Sequence, residues 1–345
     1  LTKVKLAESL GLATRTITRY EAGDISPPDE TLHKISLLLG FPIEFFYGED
    51  LKETLVETAS FRALSKMTSA KRDSALAAGT LAFLLDDWIN ERFTLPTPAI
   101  TDLRDETPES AASVLRNAWG IGEKPIKNMI HLLESKGIRV YSLAEDTLQV
   151  DAYSCWHEGR PFVFLNTKKS SERSRFDAAH ELGHLVLHKH GPPSGNNAEK
   201  EADSFASAFL MPESSVRASC PRVPTLKQLI QLKHYWIVSV SALAYRLHAL
   251  GLLSDWHYRT LAVELSEKGY RVNEPEPGQR ETSQVLAKVL AALRDDDISI
   301  SNVAKDLNIS TNELSKLLFG IVPVGIAGGN SGATGTSNAK LKIIK

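Results

Sequence analysis

The sequence predicts an α+β chain made of an all-helical N-terminal domain, linker helices, a small domain that mixes strands with helices, and a helical C-terminal extension. Three observations predict it. Over residues 1–50 apolar positions recur at helical spacing between glycine stops. Three short runs rich in β-branched and aromatic residues stand close together between Ile138 and Leu165. An apolar helical stretch carrying His180-Glu181-Leu182-Gly183-His184 follows them directly.

Composition bounds the answer. A chain of 345 residues with 42% apolar content is long enough for two or three domains with proper cores. A formal net charge of -2 leaves no overall footprint of nucleic-acid binding, so any such contact has to come from a local patch. Cys155 and Cys220 are the only cysteines and have no C-x-x-C spacing, which predicts two lone thiols and a cytoplasmic location. No apolar run reaches about eighteen residues and no signal-peptide pattern opens the sequence, so no membrane partner is expected. The first residue is Leu1 rather than Met, which reads as a missing or trimmed start.

In chain order, Val4 to Leu10 reads as a helix with Leu6, Ala7 and Leu10 inward, ended by Gly11. Thr14 to Tyr20 follows with Ile17 and Tyr20 inward, and Thr31 to Leu39 ends at Gly40 before a short helix at Glu44 to Phe46. A helix, a glycine turn and a second helix exposing Thr14, Arg15, Thr16 and Arg19 suit a reader of the DNA major groove. The first twenty residues hold Lys3, Lys5, Arg15 and Arg19 against Glu8 alone. A small helical domain used for dimerisation or regulation is the other reading. Ser69 to Phe93 is one long amphipathic helix, and the prolines at 96 and 98 mark a break. Pro108 to Trp119 and Pro125 to Lys136 read as helices with proline in the first turn. Ile138 to Leu143, Val150 to Ser154 and Phe162 to Leu165 read as strands. Beyond Pro212 the pattern is helical at Leu226 to Lys233, Ser241 to Leu250 and Asp255 to Lys268. Ser299 to Phe319 has a helix-turn-helix look, but its surroundings are acidic (Asp295, Asp296, Asp297, Asp306, Glu313), which suits packing or partner recognition. The Gly, Ser, Thr and Asn-rich stretch from 325 to 345 reads as a flexible tail.

The spacing His-x-x-x-His carries the chemistry. Residues four apart lie one helical turn from each other, roughly 6 Å between Cβ atoms, so His180 and His184 are placed to hold one zinc ion. Glu181 points to the same side and reaches a water there as general base. Phe176, Ala179, Gly183 and Leu187 form an opposite, packing stripe. A third protein ligand is needed. Glu199 and Asp203 are four apart on a following helix. Glu199 suits the third ligand, and Asp203 suits the acceptor for the outer nitrogen of a ligating histidine. Glu201 is the second choice. His190 stands where an extended three-histidine motif places its last ligand, but Leu187 replaces the glycine which that motif needs. His188 reads as a helix-end histidine favoured by the dipole. No oxyanion-stabilising residue emerges; Tyr153, His157 and Arg175 are merely polar residues near the motif.

Two blocks resemble known families. Leu6 to Gly23, with Ser26-Pro27 and Leu32 to Ile35, resembles the XRE (Cro/CI-like) helix-turn-helix family; the family's usual first helix would precede Leu1, so this copy is expected to be truncated. Gly159 to Asn166, Arg173, Arg175-Phe176 leading into His180 to His184, and Glu199 to Pro212 resemble ImmA/IrrE-type metallopeptidases. That resemblance implies a zincin-like fold, Zn2+ as cofactor, His180, His184 and Glu199 as ligands, and Glu181 as base. It also implies a protein substrate connected with gene control, typically a helix-turn-helix repressor.

The expected division is 1–50 for the helix-turn-helix domain, 51–119 for a helical linker, 120–220 for the peptidase domain, 221–324 for the extension and 325–345 for the tail. The expected function is a cytoplasmic regulator that binds a DNA operator, pairs as a homodimer on two half-sites, and carries a zinc-dependent endopeptidase. The rival is a non-proteolytic transcription factor whose zinc domain senses a ligand or metal. In a third reading, the helix-turn-helix delivers a repressor to the peptidase.

Overall fold

The computed structural model describes residues 1–51, 68–143, 152–189 and 197–322. The expected tail at 325–345 and His190 lie outside the described residues. Contacts group the chain into two units, Leu1–Lys52 with Ala292–Lys316, and Glu53–Ala291 with Leu317–Lys345. The segment 51–119 thus falls almost wholly in the larger unit, and 221–324 is divided between the two.

The smaller unit opens with α1 (Lys3–Leu10), α2 (Thr14–Glu21) and α3 (Asp29–Leu39), followed by a 3-10 turn at Ile43–Tyr47. The Thr2 hydroxyl accepts from Lys5 N at 3.3 Å and starts α1, and Gly11 at φ 67° ends it. Leu6, Ala7 and Ile17 form the buried cluster, with Leu10, Leu12 and Tyr20 packed on it. Helix α3 begins two residues before the expected Thr31, because Asp29 and Glu30 complete a favourable acidic first turn after Pro28.

The larger unit is built on three strands, β1 (Arg139–Ser142), β2 (Ala152–His157) and β3 (Arg160–Leu165). Their order is β1-β3-β2, with β3 parallel to β1 and antiparallel to β2. The β2-β3 hairpin turns on Glu158 and Gly159, both at positive φ as a tight two-residue turn requires. Successive side chains of a strand alternate between faces. Tyr153 and Phe162 therefore meet helix α4 (Ser69–Asn90) on one side. The Tyr153 hydroxyl donates to Ala75 O at 2.9 Å, and Phe83 sits edge-on to Phe162 at 4.7 Å. Asp86 of α4 is fully buried between Arg139 (2.9 Å) and Arg160 (2.8 Å), so two guanidiniums offset one desolvated carboxylate. Ser154 faces the other side, toward the motif helix.

Helices α5 (Pro108–Ala118) and α6 (Met129–Ser135) precede the sheet. The second begins at Met129 instead of the expected Pro125, because the extended Asn128 caps it through His131 N at 2.8 Å. After the sheet come α7 (Ser171–Leu187) and α8 (Asn197–Leu210), packed along each other. Gly183 permits that approach: a Cβ there would stand 3.0 Å from Phe205 Cδ1 and 3.2 Å from Ala202 Cα. Buried Arg116 of α5 braces α8 by donating to Phe209 O while also holding Gly122 O at 2.7 Å.

The chain continues through α9 (Glu213–Ser219), α10 (Leu226–Trp236), α11 (Val240–Ala249), α12 (Asp255–Glu267) and α13 (Gln284–Asp295). This part anchors the start of α7. Buried Lys233 pairs with Glu172 and Glu274, each at 3.1 Å, and Arg175 pairs with Glu281.

The last two helices, α14 (Ile300–Asp306) and α15 (Thr311–Leu318), repeat the α1-α2 connection. Ile309 N donates to Ala304 O at 2.9 Å, as Leu12 N does to Ala7 O at 2.9 Å. Asn308 at φ 53° replaces Gly11. Buried Val303, Ala304 and Leu314 hold the places of Leu6, Ala7 and Ile17. Among the described residues no helix is long and apolar enough to cross a membrane.

Candidate metal centre

Helix α7 is capped by Ser170, whose hydroxyl accepts from Arg173 N, and runs buried between the sheet and α8. Its His180 and His184 turn their Nε2 atoms toward each other at 3.1 Å. Glu199 enters from the first turn of α8, where the helix dipole favours a carboxylate. Its oxygens lie 3.8 Å from His180 Nε2 and 3.5 Å from His184 Nε2. One donor atom from each of the three residues falls within a 4.8 Å cluster. A tetrahedral zinc with bonds of about 2.0–2.1 Å places its ligand atoms roughly 3.3 Å apart; the 3.1 Å between the imidazoles and the 3.5 Å from His184 to Glu199 Oε1 lie near that value, and the 3.8 Å from His180 is to the other oxygen, Oε2. Two imidazoles and a carboxylate are also the donor set of known catalytic zinc sites, which leave a fourth position open. The residues present fit the ion.

The outer nitrogens are held as well. His180 Nδ1 lies 2.8 Å from Asp203 Oδ1, the partner expected from the sequence. Burial works against charge on His180, but Asp203, Glu181 and Glu199 outweigh it and hold the imidazole up at about 9. A cation arriving at neutral pH therefore has to displace a proton from it. His184 Nδ1 meets His188 Nδ1 at 2.9 Å, and His188 Nε2 meets Glu201 at 2.9 Å. Glu201 is thus committed to His188 while Glu199 faces the two motif histidines. His188 stands at the end of α7, as expected, and burial pushes its imidazole below the ordinary value despite Glu201.

Glu181 is 2% exposed, and Ser154 of β2 donates to its Oε2 at 2.7 Å. Ser154 was not singled out in the sequence. Its signal was a small hydroxyl between Tyr153 and Cys155 in a strand otherwise reading as apolar. The other polar residues near the motif are engaged elsewhere. Tyr153 is in the core against Phe164 at 4.5 Å, His157 stacks on Phe83 at 3.9 Å, and Arg175 is tied to Glu281 and Ile126 O. Cys155 is a buried thiol that desolvation pushes well above its ordinary value.

In the smaller unit, Thr14, Arg15 and Arg19 are exposed on α2 and Thr16 is half-exposed. Ile17 points inward at 2% exposure and anchors the helix that carries them.

Comparison with protein families agrees with both geometries. Residues 133–248 match the family model described as the IrrE N-terminal-like domain, of the M78 peptidases, and residues 1–46 match a helix-turn-helix family model of the XRE type. The chain joins an XRE-type helix-turn-helix domain to an M78 peptidase domain. The M78 match spans the sheet, the motif helix, α8 and the helices through α11, so the residues of the candidate centre all lie inside it. No curated protein matches the chain.

Proposed function

We propose that this chain is a cytoplasmic DNA-binding regulator whose M78 domain is a zinc-dependent endopeptidase acting on a protein of gene control, a helix-turn-helix repressor. In this reading residues 1–50 bind an operator through Thr14, Arg15, Thr16 and Arg19, on two half-sites as a homodimer, and residues 120–220 house the peptidase site. What supports the reading most is the convergence of His180, His184 and Glu199 on one 4.8 Å cluster beside a buried glutamate.

His180, His184 and Glu199 would hold the zinc, and Asp203 would orient His180 by accepting from its Nδ1. Bound there, zinc supplies Lewis acidity toward a peptide carbonyl and eases deprotonation of water. Glu181 takes the proton from the attacking water and delivers it to the departing amine nitrogen. Ser154 holds one carboxylate oxygen of Glu181 in place. Strand β2, an edge of the sheet, offers backbone groups to an extended substrate.

The test is purified full chain assayed for zinc and for cleavage of a helix-turn-helix repressor. Glu181→Gln is expected to retain zinc and operator binding and to lose about 10²–10⁴-fold in cleavage rate. Chelation of the zinc is expected to stop cleavage and to spare operator binding. Full regulation by Glu181→Gln with no cleaved protein would overturn the peptidase and favour the sensor.

A further inference from the structure

We propose that His188 and Glu201 form a positioning pair that fixes the tautomer and ring plane of His184. The proposal rests on the metal-site reading above. Its basis is a continuous hydrogen-bond chain. A carboxylate only accepts, so the 2.9 Å contact of Glu201 with His188 Nε2 makes that nitrogen the donor. A neutral imidazole with its proton on Nε2 has a lone pair on Nδ1. The 2.9 Å contact between His188 Nδ1 and His184 Nδ1 is then a hydrogen bond donated by His184. With its proton on Nδ1, His184 turns the lone pair of Nε2 toward His180 and Glu199. With His188 neutral the links run in one direction, and together they select the tautomer of His184 able to hold a cation.

The fold places this pair with little freedom. His188 caps the end of α7, and its backbone N donates to His184 O at 2.9 Å, so main chain and side chain both return to His184. The His188 side chain is 5% exposed. Glu201 lies two residues beyond Glu199 on α8, so one helix supplies both the inner carboxylate and the one that steadies the outer ring. His180 is oriented more directly, by Asp203 at its Nδ1. The two motif histidines are therefore supported unequally, one by a carboxylate and the other through an intervening imidazole.

The experiment measures zinc affinity of the full chain by chelator competition, the visible spectrum of the cobalt(II)-substituted protein, and melting of the metal-free protein. His188→Leu is expected to weaken zinc binding about 10–100-fold and to shift the cobalt bands. His188→Asn carries an acceptor oxygen near the place of Nδ1 and is expected to recover most of the affinity. Glu201→Gln is expected to show a smaller loss. Unchanged zinc affinity and cobalt spectrum in folded His188→Leu would overturn the pair while leaving the metal site intact. Loss in His188→Leu that His188→Asn does not recover, with a lowered melting temperature and unmoved cobalt bands, would reduce His188 to packing. A wild-type chain that binds zinc no better than His180→Ala would overturn the metal reading together with the pair.

Discussion

Helix α7 buries 13 of its 17 residues, whereas α2, which presents Thr14, Arg15 and Arg19, buries Ile17 alone among its eight. The first is pressed between the sheet and α8 and tied at its start through Glu172 and Arg175. The second rests on a cluster of three buried residues and three partly buried ones. The difference follows from what each helix is proposed to do. Donors for one ion have to be held to about 0.5 Å, which needs rotamers locked by surrounding packing. Side chains that meet a duplex have to project into solvent, so a single inward anchor suffices.

Three substitutions probe this contrast. Ile17→Ala removes the anchor of the lightly built helix and is expected to cost about 2–5 kcal/mol. Hydrogen exchange should then show lost protection across α1 and α2 with α7 unchanged; equal loss in α7 would break the contrast. Gly183→Ala strikes the tightly built helix where it touches Phe205 and Ala202. It is expected to cost about 1–3 kcal/mol, read as a lower melting temperature with weakened zinc binding, because the crowded backbone of α8 has to move. The smallest effect on stability is expected from Arg19→Ala, which is exposed. Operator affinity should fall and its salt dependence should flatten by about one unit of slope, with melting unchanged. A loss of melting temperature there would mean that the recognition face also supports the fold.

Much of the candidate centre was legible because its geometry is local. His180 and His184 meet through helical spacing, as do Glu199 and Asp203 on α8. What the sequence does not show comes from elsewhere in the chain: Ser154 from a strand, and the pairing of Glu201 with His188 across the α7-α8 contact. The helices expected as a linker show the same limit. Their amphipathic pattern announced helices, but the partners of their buried faces, Arg139 and Arg160 for Asp86 and Phe209 O for Arg116, are distant in sequence. Helix α13 is not among the elements expected from the sequence, although Leu286, Val289 and Leu293 are its buried positions at helical spacing.

The helix-turn-helix connection is the feature that residues settled by themselves. It occurs at Leu10–Ala13 and again at Leu307–Ser310, and its turn hydrogen bond also spans Val238 N and Lys233 O at 3.3 Å. A left-handed residue between two short amphipathic helices is enough to form it. Which carboxylate faces the motif histidines was decided only by tertiary structure. Glu199 and Glu201 differ by about 200° in direction around one helix, and sequence spacing leaves both available. The close crossing of α7 and α8 at Gly183 gives Glu199 to His180 and His184 and Glu201 to His188. That choice depends on how two helices pack, and no local pattern encodes it.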